Sequence, residues 1–306
     1  MPPVPIRSRP PLTRRLAIVL TLCSGLLAAL WVSHASPAAQ QVGLGDWIPL
    51  FDGRSLDGWT PKIRGYPLGE NYGNTFRVED GLLTVSYDQY PQFDGTFGHL
   101  FYDRRPFAYF VLAVEYRFVG DQVPGGPDWA IRNNGLMLHS QAPDTMGLDQ
   151  DFPISIEAQL LGGAPAPDRT TANVCTPGTE IAIGGMRVGG HCTNSTSPIF
   201  RGDDWVRVEI EVRGSEEVVH RVNGERVLTY GQLEVGGGAV SNFDPAVKRD
   251  GTQLAEGYIA IQGESHPTQF RRIELLNLSG CMNPESDNYR PYFVHRDDAA
   301  CTQGLR

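Results

Sequence analysis

Four residues in alternating apolar segments have the types and spacing that chemistry needs: His139, Glu157, Gln159 and His266. They lie in or just after Gly135–Gln141, Ile154–Leu160 and Ile259–His266. Side chains on a strand alternate between two faces, so Glu157 and Gln159 share one face and Ile156, Ala158 and Leu160 the other. If neighbouring strands bring His139 and His266 to the face of Glu157, a sheet presents two imidazoles, a carboxylate and an amide to one cavity. Such a set can ligate a divalent metal or move protons, and a β protein does not need it to fold.

The elements that must hold these groups are strands. Alternating patterns predict strands at Gly81–Ser86, His99–Tyr102, Tyr109–Phe118, Gly135–His139, Ile154–Leu161, Trp205–Arg213, Val218–Val222, Arg226–Tyr230, Gly257–Gln262 and Phe270–Leu278. The clearest is Trp205–Arg213, where Val206, Val208, Ile210 and Val212 alternate with Arg207, Glu209, Glu211 and Arg213. Asn223-Gly224 predicts a two-residue hairpin turn, because both positions of a type I′ turn require positive φ. Beyond the N-terminus no segment sustains a 3.6-residue period. Many short strands in about 240 residues predict an all-β sandwich of jelly-roll type. Two long loop insertions interrupt it, Gly162–Pro198 and Glu234–Ala255.

Arg7, Arg9, Arg14 and Arg15 precede an apolar run from Leu16 to Val32, followed by small residues at Ser33, Ala35, Ser36, Ala38 and Ala39. This order predicts a secretory signal over residues 1–39, with a retained N-terminal anchor as the alternative. Without those residues the chain keeps 22 basic and 35 acidic side chains, a net charge of −13. An exported acidic protein is a poor partner for nucleic acid, and no other segment is apolar enough to hold it in a membrane. Of the five cysteines, Cys23 falls in the signal. The remaining four predict two disulfides, with three pairings open; the simplest closes two local loops, Cys175–Cys192 and Cys281–Cys301.

Longer motifs carry a resemblance. Trp47-Ile-Pro-Leu-Phe-Asp-Gly-Arg-Ser-Leu-Asp-Gly-Trp59, Phe76-Arg-Val-Glu-Asp-Gly-Leu-Leu83, Phe110–Phe118 with Glu115, Asn133-Asn-Gly-Leu-Met-Leu138, Ile156-Glu-Ala-Gln-Leu160, Gly257-Tyr-Ile-Ala-Ile-Gln262 and Phe270-Arg-Arg-Ile-Glu274 occur in order. Together they resemble the 3-keto-disaccharide hydrolase family over residues 46–278. Val174–Thr179, His191-Cys192 and Glu264–Pro267 resemble a secreted subgroup of it. The chain departs from the family pattern at Asn134, where many members have Ser, and at His139, where many have Arg or another polar residue. The resemblance implies a concanavalin/LamG-like jelly roll with a site on its concave face. It also implies a carbohydrate substrate, a glycoside already oxidised to a ketone at carbon 3.

A ketone at carbon 3 acidifies the hydrogen on carbon 2. A base removes it, an enediolate forms and the carbon 1 substituent leaves; water can then add, so hydrolase and lyase share the first step. On this reading His139, Glu157 and His266 are candidate proton carriers or ligands of one divalent metal. Gln159 and Gln262 orient hydroxyls. Arg271 neutralises the oxyanion or pairs with Glu157. Glu264 is a ligand, a partner of one, or solvated. Trp129, in a Gly/Pro-rich loop, is the sugar platform, while Trp59 and Trp205 pack. His191 is incidental to its disulfide, though its loop could cap the site; His99, His220 and His295 are read as surface residues. The tail, 279–306, resembles a short Cys-bracketed module of secreted bacterial proteins, in which Asp287, Asn288, Asp297 and Asp298 could hold Ca²⁺. Three rivals remain: a non-catalytic carbohydrate-binding module, an envelope interaction protein acting through the tail, and a conventional two-carboxylate glycosidase.

Overall fold

The computed structural model describes residues 46–163 and 168–302; the predicted signal at 1–39 lies outside them. Two antiparallel sheets face each other. The larger runs Met186–Arg187, Thr179–Ile183, Glu225–Val235, Glu217–Val222, Val206–Arg213, Tyr109–Phe118, Thr268–Asn277, Leu82–Val85 and Phe76–Glu79, with Trp47–Pro49 also pairing to Thr268–Asn277. The second runs Cys192–Thr193, Asn173–Cys175, Ile156–Leu161, Asn133–Ser140, Gly257–Gly263, Gly98–Phe107 and Trp59–Ile63. Neighbours in each sheet are mostly distant in sequence, so the chain crosses repeatedly between sheets, as a jelly roll must.

Parity along each strand builds the core. Ile156, Ala158 and Leu160 face Val208, Ile210, Phe110, Leu112 and Phe270 between the sheets, all fully buried. Val206–Arg213 alternates buried and half-buried residues along its whole length. Asn223 and Gly224 both take positive φ, 49° and 87°, closing the hairpin as predicted. Outside the first insertion and the tail, three strands were not anticipated: Trp47–Pro49, Trp59–Ile63 and Phe76–Glu79. The first insertion is also more regular than expected, because four of its segments extend the two sheets.

Both local disulfides form, Cys175–Cys192 and Cys281–Cys301. The tail turns back so that Ser279–Gly280 pairs in parallel with His295–Arg296. There Asn288, Asp297 and Asp298 are engaged with Ala300 O, Ala299 N and Arg296. No helix among the described residues is long and apolar enough to cross a membrane.

Candidate active site

The outer face of the seven-stranded sheet carries a cavity of about 640 Å³. Strand parity places its floor. Glu157, Gln159 and Leu161 alternate with the core-facing residues of Ile156–Leu161 and line it, together with Asn133 and Glu264. Gln159 is held by the Asn173 Nδ2, which donates to its Oε1 at 3.2 Å. Glu157 is placed by a gap. The strand beside it carries Gly135, and a Cβ added there would lie 2.5 Å from Glu157 Oε1 and 2.7 Å from its Cγ. The Glu157 carboxyl therefore lies across the glycine.

Glu264 follows the strand Gly257–Gly263. The next residue, Ser265, has φ 87° and is fully buried, a conformation that costs energy for a non-glycine residue and turns the chain sharply. Its hydroxyl accepts from Gln122 Nε2 (2.8 Å) and its carbonyl from Val123 N (3.0 Å), which hold the turn. Burial raises the pKa of both Glu157 and Glu264, and the charge of Glu157 raises that of Glu264 further. Two buried carboxyls that disfavour each other's ionisation do not readily ionise together, so at least one keeps its proton.

The walls come from the two insertions and one short strap. Cys175, Pro177, His191 and Cys192 form one side; Ala239, Val240 and Ser241 form another. Asp151 ties the strap to the second insertion: its Oδ1 accepts from Ser241 N (2.7 Å) and Phe152 N (2.9 Å), and its Oδ2 from Ser241 Oγ (2.6 Å). Trp129 lies at the rim, 52 % exposed, with its ring stacked on Phe97 at 6.0 Å and 14°. Arg169 fixes the turn that carries it, donating to the carbonyls of Trp129 (3.1 Å), Ile131 and Gly162 (3.0 Å). An exposed, braced indole is a fitting surface for the apolar face of a sugar ring.

Of the residues singled out in the sequence, Glu157, Gln159, Glu264 and Trp129 line this cavity. His139 does not. It takes φ 46° beside a register shift in the pairing of its strand with Gly257–Gly263. This bulge takes the side chain out of the expected alternation; its ring meets Phe110 in the core at 6.1 Å, and its Nδ1 donates to Leu254 O. His266 is buried edge-on against Phe118 at 5.6 Å, with both ring nitrogens lacking a partner, and does not line the cavity. Burial and the nearby Arg132 depress its pKa to about 4. Arg271 belongs to the other sheet. Its Nε donates to Glu115 Oε2 at 2.6 Å, and its guanidinium stacks on Trp205. Gln262 is fully buried on the cavity's sheet face.

The proposed metal triad does not fit, since His139 faces the core and His266 does not share the cavity with Glu157. Among the described residues, one group of His and Cys atoms lies within ligating reach, Cys175, His191 and Cys192. Its cysteines are joined to each other, so neither offers a thiolate. His99 and His220 are fully buried, contrary to their reading as surface residues. Asp151, Phe152, Arg169 and Asn133 were not anticipated as lining groups. Asn133 lay within a quoted motif, while Arg169 and Asp151 lay in segments with no periodic signal.

Residues 46–276 match the family described as the 3-keto-alpha-glucoside-1,2-lyase-like domain. The chain belongs to this family. Membership agrees with the ordered motifs and ties the protein to carbohydrate chemistry. Among solved structures, the chain is similar to a candidate glycosyl hydrolase of Parabacteroides distasonis, at 15 % identity over 78 % of this chain and 99 % of that one, TM-score 0.48. It is also similar to a Bacillus subtilis protein of unknown function with a galectin-like fold, at 12 % identity, 76 % and 94 % coverage and TM-score 0.45. A third is the carbohydrate-binding module CBM66 of Bacillus subtilis, at 10 % identity, 72 % and 96 % coverage and TM-score 0.39. No curated protein matches the chain.

Proposed function

We propose that this protein is an exported enzyme that cleaves 3-keto-glycosides by elimination across carbons 1 and 2. The observation that carries the reading is the pair Glu157 and Glu264, two carboxyls facing one sugar-sized cavity. Burial pushes the pKa of Glu157 up to about 8, and burial and the charge of Glu157 push that of Glu264 up, so Glu157 ionises while Glu264 keeps its proton. The ionised member, assigned to Glu157, takes the proton from carbon 2. The electron pair moves onto the carbon 3 carbonyl, giving an enediolate, and then expels the oxygen on carbon 1. The protonated member, assigned to Glu264, gives its proton to that leaving oxygen. The half-buried Arg169, whose Nε lacks a partner, supplies positive charge for the developing oxyanion. Gln159 and Asn133 orient ring hydroxyls, and Trp129 carries the ring face.

After elimination the proton has changed sides. Glu264 is then the base for an incoming water, and Glu157 returns the proton to carbon 2, so the same pair supports net hydrolysis. The predicted signal and the two disulfides support export to an oxidising compartment.

The test is turnover of a methyl 3-keto-glucoside and of its unoxidised parent by the mature chain. Cleavage confined to the oxidised sugar supports elimination. Cleavage of both would replace it by two-carboxylate glycoside hydrolysis, and binding of either without turnover would leave a carbohydrate-binding module.

A further inference from the structure

Beside the carboxyl pair, beneath the cavity lining and on the same sheet face, lie two buried polar side chains without a hydrogen-bond partner. Gln262 and His99 are cross-strand partners. The next pair along, Ile261 and Leu100, points into the inter-sheet core. Gln262 and His99 therefore point the other way, onto the face that carries Glu157. Leu136 pairs with Ile261 on the adjacent strand, which puts Gly135 and the Glu157 carboxyl above it next in line. Both side chains are 0 % exposed, and none of their four polar atoms has a hydrogen-bond partner.

Such orphans are costly, and native proteins rarely keep them without a use. This fold satisfies the same residue types elsewhere. His220 is equally buried, yet its Nδ1 donates to Ala172 O at 2.9 Å and its Nε2 accepts from Tyr230 OH at 2.8 Å. Gln150 is equally buried, yet its Oε1 accepts from Gly147 N (3.0 Å) and its Nε2 donates to Gln141 Oε1 (2.9 Å) and Phe152 O (2.8 Å). His266 shares this lack, but His99 and Gln262 are cross-strand neighbours on the face that carries the cavity.

One ring separates His99 from the cavity. Phe152 meets the imidazole edge-on at 5.9 Å and lines the cavity on its other side. Its backbone is pinned by Asp151 and Gln150 and its ring also packs on Phe97 at 5.0 Å, so the ring rather than the chain is the part that can move off His99.

We propose that His99 and Gln262 form a hydroxyl-reading floor of the cavity, opened by rotation of Phe152, that binds the neighbouring 4- and 6-hydroxyls of the sugar. An imidazole held neutral by burial offers one donor and one acceptor, and the carboxamide adds two donors and an acceptor. Each sugar hydroxyl can both give and take a hydrogen bond, so the pair matches a diol. The assignment rests on the carbohydrate reading of the cavity but not on the elimination chemistry, because hydroxyls are read whether or not carbon 3 is oxidised.

The experiment uses the mature chain with His99→Phe, Gln262→Met and Phe152→Trp. Calorimetric binding of methyl glucoside and its 4-deoxy and 6-deoxy analogues is measured beside turnover of methyl 3-keto-glucoside. Loss of a hydroxyl's buried partner in His99→Phe and Gln262→Met, and blocked access to it in Phe152→Trp, are each expected to raise Kd and KM about tenfold, with kcat changed far less. A deoxy analogue that binds the native chain more weakly should bind the matching variant as well as the parent sugar does. His99→Phe or Gln262→Met that raises Tm while leaving Kd, KM and the deoxy preference untouched would overturn the floor, because the orphans then served no ligand. Should His99→Phe not fold, Gln262→Met and Phe152→Trp decide by the same criteria. Weakened binding in the variants of a protein with no turnover keeps the floor and removes elimination. Native turnover unaffected by the variants does the reverse, and a native chain with neither binding nor turnover removes both.

Discussion

At the scale of single residues, the proposed elimination depends on which of Glu157 and Glu264 carries a proton. A side chain that moves a proton in the transition state contributes roughly 10²–10⁴-fold. Glu157→Gln and Glu264→Gln are each expected to lower kcat on a 3-keto-glucoside by at least 10²-fold, with KM within a few-fold of native. A uniform rise in KM with kcat preserved would instead make them binding groups. The Gly135 gap gives a separate test of placement. In Gly135→Ala the new methyl would fall 2.5 Å from Glu157 Oε1, so the carboxyl must move while the strand remains. The expected result is a kcat lowered ten-fold or more beside a Tm changed by only a few degrees; an unchanged kcat would mean that the position of Glu157 over the glycine does not matter. Strand parity made Glu157 and Gln159 legible in the sequence, because one rule fixes their common face. The same rule misplaced His139, since a single left-handed residue at a bulge cancels parity and leaves no mark in hydrophobic pattern. Nothing local joins Glu264 to Glu157; only the register among three strands distant in sequence brings them to one cavity.

At the scale of elements, the sheet supplies the floor while the insertions supply the walls. Cys175 is the cross-strand partner of both Glu157 and Cys192, so one disulfide joins the wall to the neighbour of the strand that carries Glu157. A bond spanning 17 residues contributes about 3 kcal/mol by chain entropy. Cys175→Ala/Cys192→Ala is expected to lose stability of about that size and to lose more activity than Cys281→Ala/Cys301→Ala, whose loop is far from the cavity. Equal loss of activity at equal loss of stability would show that the first bond has only a structural part. Asp151→Ala should free the strap from Ser241 and raise KM several-fold, read from initial rates with Tm as control. Much of this layer was legible: ten predicted strands are present, and the paired turn at Asn223-Gly224 has the expected backbone. Trp59–Ile63 was not, because Pro61 interrupts its pattern and only its place at a sheet edge tolerates it. The short strands of the first insertion were hidden by their Gly- and Thr-rich composition and are held by pairing to longer neighbours and by the disulfide.

At the scale of the whole molecule, the buried titratable groups set opposing demands on pH. Burial lowers the pKa of His139, His220 and His266 to about 4 and of His99 to about 3, against an ordinary 6.5. Between those values the unfolded chain binds protons that the folded chain refuses, so these four histidines lose their contribution as pH falls below 6.5. The two carboxyls act in the opposite sense. Their folded pKa values are raised above an ordinary 4.5, so the stability they give is full below that value and is lost as pH rises. From pH 4.5 to 6.5 these four histidines, joined by His191, whose pKa burial also lowers, outweigh two carboxyls, and stability should climb with pH. Above 6.5 the histidines are neutral in both states and only the carboxyls still differ, so stability should turn downward. A Tm profile from pH 4.5 to 8 is therefore expected to peak near 6.5. Glu157→Gln/Glu264→Gln should flatten its alkaline limb and leave the acid limb in place. An alkaline limb unchanged in that variant would mean that the two carboxyls ionise in the folded protein as they do in water, and the retained proton on which the elimination chemistry depends would not exist.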